Sequence, residues 1–302
     1  MTTFAPSVLS DAELVSKPLP QRPLGKLGWN ASVLTLGGVK WDVKCSDAEA
    51  AALVHRAIEL GVNTFDTAHI YGNGESERKL GLALEGERHR IWLNTKVIDR
   101  SYDGAKRMFE TSLQRLRTDY VDLLFVHSLD TEDQREQITQ AESVLKAIEE
   151  YRRAGNVRYI GISGHWVKDV MLRILGEYAF DAALFPVGLF NRAYNYSVVD
   201  SVLPYARAKE MAVLGMKIYG AGRVKQAGSI APYLRYAIQQ DIDTAVIGMD
   251  SIAHLEETVR ILKSAPAPLS EAEVQALLPE AIAITQEWDV HEFSWVQGYQ
   301  KS

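Results

Sequence analysis

The chain has 302 residues, 47% hydrophobic and 24% charged, with Lys+Arg 33 against Asp+Glu 39 and a formal net charge of -6. That length suits one large α/β domain or two medium ones. The apolar fraction excludes wholesale disorder, and the missing basic surplus argues against a nucleic-acid partner. A single cysteine, Cys45, excludes an internal disulfide and a Cys-based zinc cluster.

Residues 1–22 read as a loose N-terminal arm, because Pro6, Pro18, Pro20 and Pro23 interrupt any continuous helix. Met1 to Leu19 lacks the basic start and apolar core of a secretory signal. No apolar run nears the roughly 20 residues that span a bilayer, so a cytoplasmic protein without a membrane partner is expected. Residues 23–302 are expected to form one domain. Eight apolar runs follow: Val33–Leu36, Asn63–Asp66, Arg90–Lys96, Val121–His127, Val157–Ser163, Asp181–Val187, Met211–Lys217 and Asp243–Gly248. They are continuous rather than alternating, as strands buried on both faces should be. Helix-period segments separate them, over Asp47–Leu60, Glu75–Leu84, Ala105–Leu116, Ala141–Ala154, Val167–Gly176, Ser197–Lys209, Ile230–Gln239 and His254–Leu262. Gly61 and Gly155 stop two of these.

Such β-then-α units, repeated at roughly 25–35 residue spacing, predict a (β/α)8 TIM barrel. The competing open, doubly wound sheet would show G-x-G-x-x-G after its first strand. Gly72-Asn73-Gly74 and Gly220-Ala221-Gly222 both lack the third glycine. A C-terminal extra helix is expected over 270–286, entered through Pro266, Pro268 and Ser270. The tail beyond it carries Trp288, Phe293, Trp295 and Tyr299, which either pack on the barrel or lid its mouth.

A barrel enzyme places reactive groups where strands end. Strand 2 ends in Asp66, strand 3 in Lys96 and strand 4 in His127, and Tyr71 follows in the loop after Asp66. Taken singly, each has a plain reading: helix cap, solvent-seeking lysine, core histidine, packing ring. Together on adjacent units they point to proton transfer. A free tyrosine has a pKa of about 10, and a neighbouring ammonium is expected to lower it by roughly 1–3 units. Asp66 would hold Lys96 charged, Tyr71 would act as general acid or base, and His127 would donate to a carbonyl oxygen. Such equipment protonates an alkoxide and offers no hydride, so carbonyl reduction on it requires a cofactor.

The sequence resembles the aldo-keto reductases. The resembling stretches are Pro23-Leu24-Gly25-Lys26-Leu27-Gly28, Gly61-Val62-Asn63-Thr64-Phe65-Asp66-Thr67-Ala68, Tyr71-Gly72…Glu75…Glu77…Leu80-Gly81-Leu82-Ala83-Leu84 and Asn94-Thr95-Lys96. They continue through Leu113-Gln114-Arg115-Leu116…Asp119-Tyr120-Val121-Asp122-Leu123…His127, Gly155-Asn156-Val157-Arg158-Tyr159-Ile160-Gly161-Ile162-Ser163 and Gly248…Leu255-Glu256-Glu257. They run in order over residues 22–262. The resemblance implies a barrel that binds NADP(H) or NAD(H) without a Rossmann fold and acts on a small carbonyl substrate. It implies that Asp66, Tyr71, Lys96 and His127 match the family's catalytic four.

It further implies a cofactor site built from Ser163, from Lys217, Ile218, Gly220, Gly222 and Arg223 after strand 7, and from Gly248, Asp250, Ser251, His254 and Glu257 after strand 8. Glycines there would let backbone N–H groups approach phosphate, and a helix N-terminus suits an anion. Ser251 equally fits a plain N-cap. Three departures stand out. Lys217 occupies the position where members usually stack an aromatic ring on the nicotinamide. Gly164 follows Ser163 where Asn is common. Asp250 would repel a 2′-phosphate, by about 4 kcal/mol at ~4 Å and an effective dielectric of 20 before screening. Asp250 predicts a weakened preference for NADP, with NADH a real alternative, unless Arg223 or Lys225 supplies the phosphate contact.

Trp41, His69, His165, Trp166 and Trp295 are candidates for the substrate pocket, with packing the alternative for Trp41 and Trp166 and an exposed loop the alternative for His69. The histidines lack metal-ligand spacings, so no metal is expected. Two other functions fit the same residues: a Schiff-base aldolase or isomerase using Lys96, and a non-catalytic cofactor-sensing subunit.

Overall fold

Apolar runs that need cover on both faces find it in a closed parallel sheet wrapped by helices. A computed structural model describes residues 9–42, 45–165, 168–193 and 198–286. A short antiparallel hairpin comes first, β1 (Gln21–Pro23) with β2 (Asn30–Ser32). The barrel strands are β3 (Leu34–Gly37), β4 (Thr64–Asp66), β5 (Trp92–Val97), β6 (Val121–Val126), β7 (Val157–Ser163), β8 (Ala182–Pro186), β9 (Ala212–Met216) and β10 (Thr244–Gly248). They pair in parallel in chain order, and β10 closes the ring on β3. All eight expected strands form, in the predicted (β/α)8 barrel.

The helices are α1 (Asp11–Ser16), α2 (Asp47–Glu59), α3 (Glu75–Ala83), α4 (Tyr102–Leu116), α5 (Glu132–Ile138), α6 (Val144–Ala154), α7 (Lys168–Glu177), α8 (Leu189–Ala193), α9 (Val202–Ala208), α10 (Ala231–Ile238), α11 (Ile252–Lys263) and the extra helix α12 (Glu271–Gln286). Local chemistry starts many of them. Ser10 with Glu13, Ser46 with Glu49 and Thr131 with Gln134 form reciprocal capping boxes. One hydrophobic cluster fills the space between barrel and helices. A second lies inside the barrel, where Leu24, Leu27 and Ala31 of the hairpin meet Trp92, Leu123, Phe125 and Leu214. The hairpin thus plugs one end and leaves the strand C-termini open.

The span expected as a loose arm is structured from residue 10 onward. In α1, Leu14 is fully buried, Arg260 binds Asp11 and the Leu9 carbonyl, and buried Lys263 donates to the Leu14 carbonyl at 2.6 Å. The prolines forbid one long helix but leave room for a capped six-residue helix and a strand.

Candidate active site

The open end of the barrel collects the strand-end residues. Asp66 closes β4, Lys96 sits one residue inside the end of β5, and His127 follows β6. Register places Asp66 beside Asn94, two residues before Lys96. Asp66, Lys96 and His127 are 2%, 1% and 6% exposed, so each charge there must be partnered. Lys96 Nζ donates to Asp66 Oδ1 and, at 2.6 Å, to the Thr67 carbonyl. Burial opposes the ammonium, but Asp66 and Tyr71 outweigh it and the Lys96 pKa rises. Burial likewise raises the Asp66 carboxyl, against the pull of Lys96.

Tyr71 opens a tight turn, Tyr71–Gly74. At Gly72 φ is +57°, and a Cβ would lie 2.9 Å from the Asp42 Cα, so only glycine fits. The turn sets the half-buried phenol ring 4.9 Å from Lys96 Nζ and edge-on to His127, 5.8 Å between centroids. Lys96 pulls the Tyr71 pKa down, as expected, but the net shift is upward. Burial raises it, and Lys96, already paired with Asp66, does not reverse that. Tyr71 therefore keeps its proton near neutral pH. His127 is held well below the ordinary imidazole pKa by burial and then by Lys96, and its Nδ1 is buried without a hydrogen-bond partner among the described residues. It is a neutral ring beside a proton-bearing phenol.

A cavity of about 750 Å³ runs from Asp66 and Tyr71 across β9 and β10 to α11. Of the expected cofactor residues, Lys217, Ile218, Gly222, Arg223, Gly248, Asp250, His254 and Glu257 line it. Gly220 and Ser251 adjoin lining residues in sequence, but neither they nor Ser163 line it. Ser163 Oγ accepts from the Ser128 amide at 3.1 Å, and Ser251 caps α11 by accepting from the His254 amide. The structure adds residues that strand-end reading passed over: Lys40, Tyr219 and Thr258. Lys40 was open to the same rule, standing in the loop after the first barrel strand. Tyr219 and Thr258 meet through their hydroxyls at 3.1 Å, a pairing no local pattern announces.

Trp41 is not a pocket wall; it is 1% exposed and donates its indole N–H to the Met249 carbonyl at 2.9 Å. His69 faces α4, where its Nδ1 meets Ser112 Oγ at 3.2 Å beside Arg115. His165 sits near the site, its amide on Asp130 Oδ1 at 2.6 Å and its Nδ1 3.0 Å from Ser128 Oγ. Trp166 and Trp295 lie outside the described residues. At the opposite end a wider groove of about 920 Å³ is lined by Arg22, Arg207 and Arg235. Backbone carbonyls of Ile238, Ile242, Asp241 and Ala267 take up those guanidiniums, so the groove is structural. No group of potential metal ligands occurs among the described residues. No described helix is long and apolar enough to cross a membrane.

The model of the Aldo/keto reductase family matches residues 33–232. The chain belongs to the aldo/keto reductase family. Its relatives include L-galactose dehydrogenase of Arabidopsis thaliana, 25% identical over 93% of this chain and 98% of that protein. An uncharacterized oxidoreductase of Bacillus subtilis is 34% identical over 47% of this chain, and the match spans about half that protein's length, 48%. Among solved structures, a Pseudomonas aeruginosa protein assigned to the aldo-keto reductases superposes with TM-score 0.70 at 30% identity, covering 83% of this chain and 98% of that one.

Aldo-keto reductases are nicotinamide-dependent oxidoreductases, and the cavity fits such a cofactor. After β9 the backbone turns through Ala221 and Gly222 at φ +56° and +99°, and nothing lies within 4 Å of the missing Gly222 side chain. Gly222, Arg223, Lys225 and His254 in the first turn of α11 line the cavity there, an arrangement that would cradle an anion. Asp250 is less repulsive than sequence alone predicts: His254 Nδ1 lies 2.7 Å and Lys225 Nζ 3.9 Å away.

Proposed function

We propose that the chain interconverts an aldehyde or ketone and the alcohol with NAD(P)H, with Tyr71 as proton donor. The observation that carries this is Tyr71 poised against a buried Asp66–Lys96 pair and a neutral His127, at one end of a cofactor-sized cavity. Arg223, Lys225, Gly222 and the α11 N-terminus would hold the cofactor, which when bound supplies the hydride. His127 holds the substrate oxygen through its ring N–H. Tyr71 passes its proton to that oxygen as negative charge builds on it. Lys96 steadies the phenolate left behind, and Asp66 keeps Lys96 charged and aimed. In the reverse direction the same phenolate takes the proton back.

Tyr71→Phe removes the proton donor without altering the anion cradle. Turnover is expected to fall by roughly 100- to 10,000-fold while the NADPH dissociation constant, read by fluorescence titration, stays put. Near-normal turnover of the variant would overturn the assignment. A Schiff-base role for Lys96 is disfavoured because Asp66 and the Thr67 carbonyl hold it as an ammonium. A purely sensing role would not need four proton-handling groups in contact.

A further inference from the structure

Glu77, in the first turn of α3, is fully buried and has no part in the proton transfer described above. Its two oxygens reach different elements. Oε1 accepts from Thr95 Oγ1 at 2.6 Å, and Thr95 precedes Lys96 on β5. Oε2 lies 3.4 Å from Nη1 of Arg115 on α4, and the same Nη1 donates to the His69 carbonyl at 3.2 Å. The guanidinium lies against the turn that carries Tyr71. At Gly74 of that turn φ is +95°, and a Cβ there would lie 2.2 Å from Arg115 Cζ. From the other side the His69 amide donates to the Lys96 carbonyl at 3.1 Å. A buried carboxylate persists only when paired and hydrogen-bonded, so Glu77 fixes Arg115 and Thr95 relative to each other. Thr95, Glu77, Arg115 and His69 thus link the strand that holds Lys96 to the turn that holds Tyr71.

We propose that Glu77 and Arg115 are positioning residues for the reduction, holding the tyrosine turn against β5 so that the phenol meets Lys96. This rests on the reductase reading above. Neither residue lines the cavity, so both act through Tyr71. The separation they set is the 4.9 Å between the Tyr71 ring and Lys96 Nζ.

Glu77→Gln keeps an acceptor for Thr95 and removes the charge that holds Arg115. The guanidinium is 28% exposed, so its charge still reaches water. Glu77→Gln combined with Arg115→Met buries no charge and serves as the second variant. The full chain is assayed with NADPH on butanal, benzaldehyde and butanone. Either variant should lower kcat by about 10- to 100-fold, the cost of a misplaced reacting group, with KM and the NADPH dissociation constant within about twofold of wild type. In a Tyr71→Phe background Glu77→Gln should cost nothing further, because the hydroxyl it aims is gone. An unchanged kcat overturns the proposal. So does an equal loss in both backgrounds, which marks a general loosening of the fold. If the wild type reduces none of the three carbonyls, the reductase reading fails. Amide hydrogen exchange then decides whether the pair holds the turn. Exchange over residues 67–74 should quicken by about tenfold in Glu77→Gln, with residues 121–127 unchanged. Uniform quickening, or none, overturns it.

Discussion

Lys96 is almost wholly buried, and Asp66 is the carboxylate that answers its charge. Asp66→Asn would leave an uncompensated buried ammonium, which typically destabilises by about 3–5 kcal/mol. Urea unfolding should show that loss, and the double variant Asp66→Asn with Lys96→Met should recover part of it, since it buries no charge. Equal stability of the two variants would mean the pair contributes little to the fold. Asp66, Lys96 and His127 were legible in the sequence because each stands at or beside a strand end after an apolar run, and Tyr71 because it follows Asp66 in the loop. Their ionisation was not. Sequence logic placed a cation next to a phenol and expected a lowered pKa; only the packed site shows that burial outweighs Lys96. Trp41 and His69 misled for a related reason. A loop position near the mouth says nothing about which way a side chain points, and these two turn to Met249 and to α4.

At the scale of elements, acidic residues at the closed end tie neighbouring strands together. Asp122 accepts from the Leu93 amide, Asp181 from the Ile160 amide, and Asp243 from the amides of Gly25 and Val213. The last of these also anchors the loop of the plugging hairpin. Helix α1 is the element that composition concealed. Six residues cannot sustain a helix alone, and its stability comes from Ser10 and Glu13 at one end and from docking on α11. Leu14→Ala should therefore cost up to about 2–5 kcal/mol, the range for a fully buried leucine. If the helix detaches instead of unfolding the barrel, limited proteolysis near residues 9–20 will speed up while the main denaturation midpoint holds. An unchanged midpoint and unchanged cleavage would show that α1 is not held by Leu14.

The whole barrel joins the two ends of the active cavity, because β10 closes on β3 and brings Asp250, His254 and Lys40 to one rim. Cofactor bound at 100 times its dissociation constant should raise stability by about 2.7 kcal/mol, visible as a higher melting temperature. Asp250→Asn should enlarge the shift produced by NADPH relative to NADH if Asp250 would face the 2′-phosphate, because it removes that negative charge. An unchanged difference would mean that His254 and Lys225 already neutralise Asp250. By itself the sequence determined the repeat of strand and helix, the barrel that follows from it, and which ionisable residues stand at the strand ends. Those are set by periodicity and by position along one chain segment. Tertiary structure decided the plug, the docking of α1, the joining of Lys217 and Lys40 on one wall, and the upward sign of the Tyr71 pKa shift. Each of these depends on distances between segments far apart in the chain and on how much water packing removes from between them.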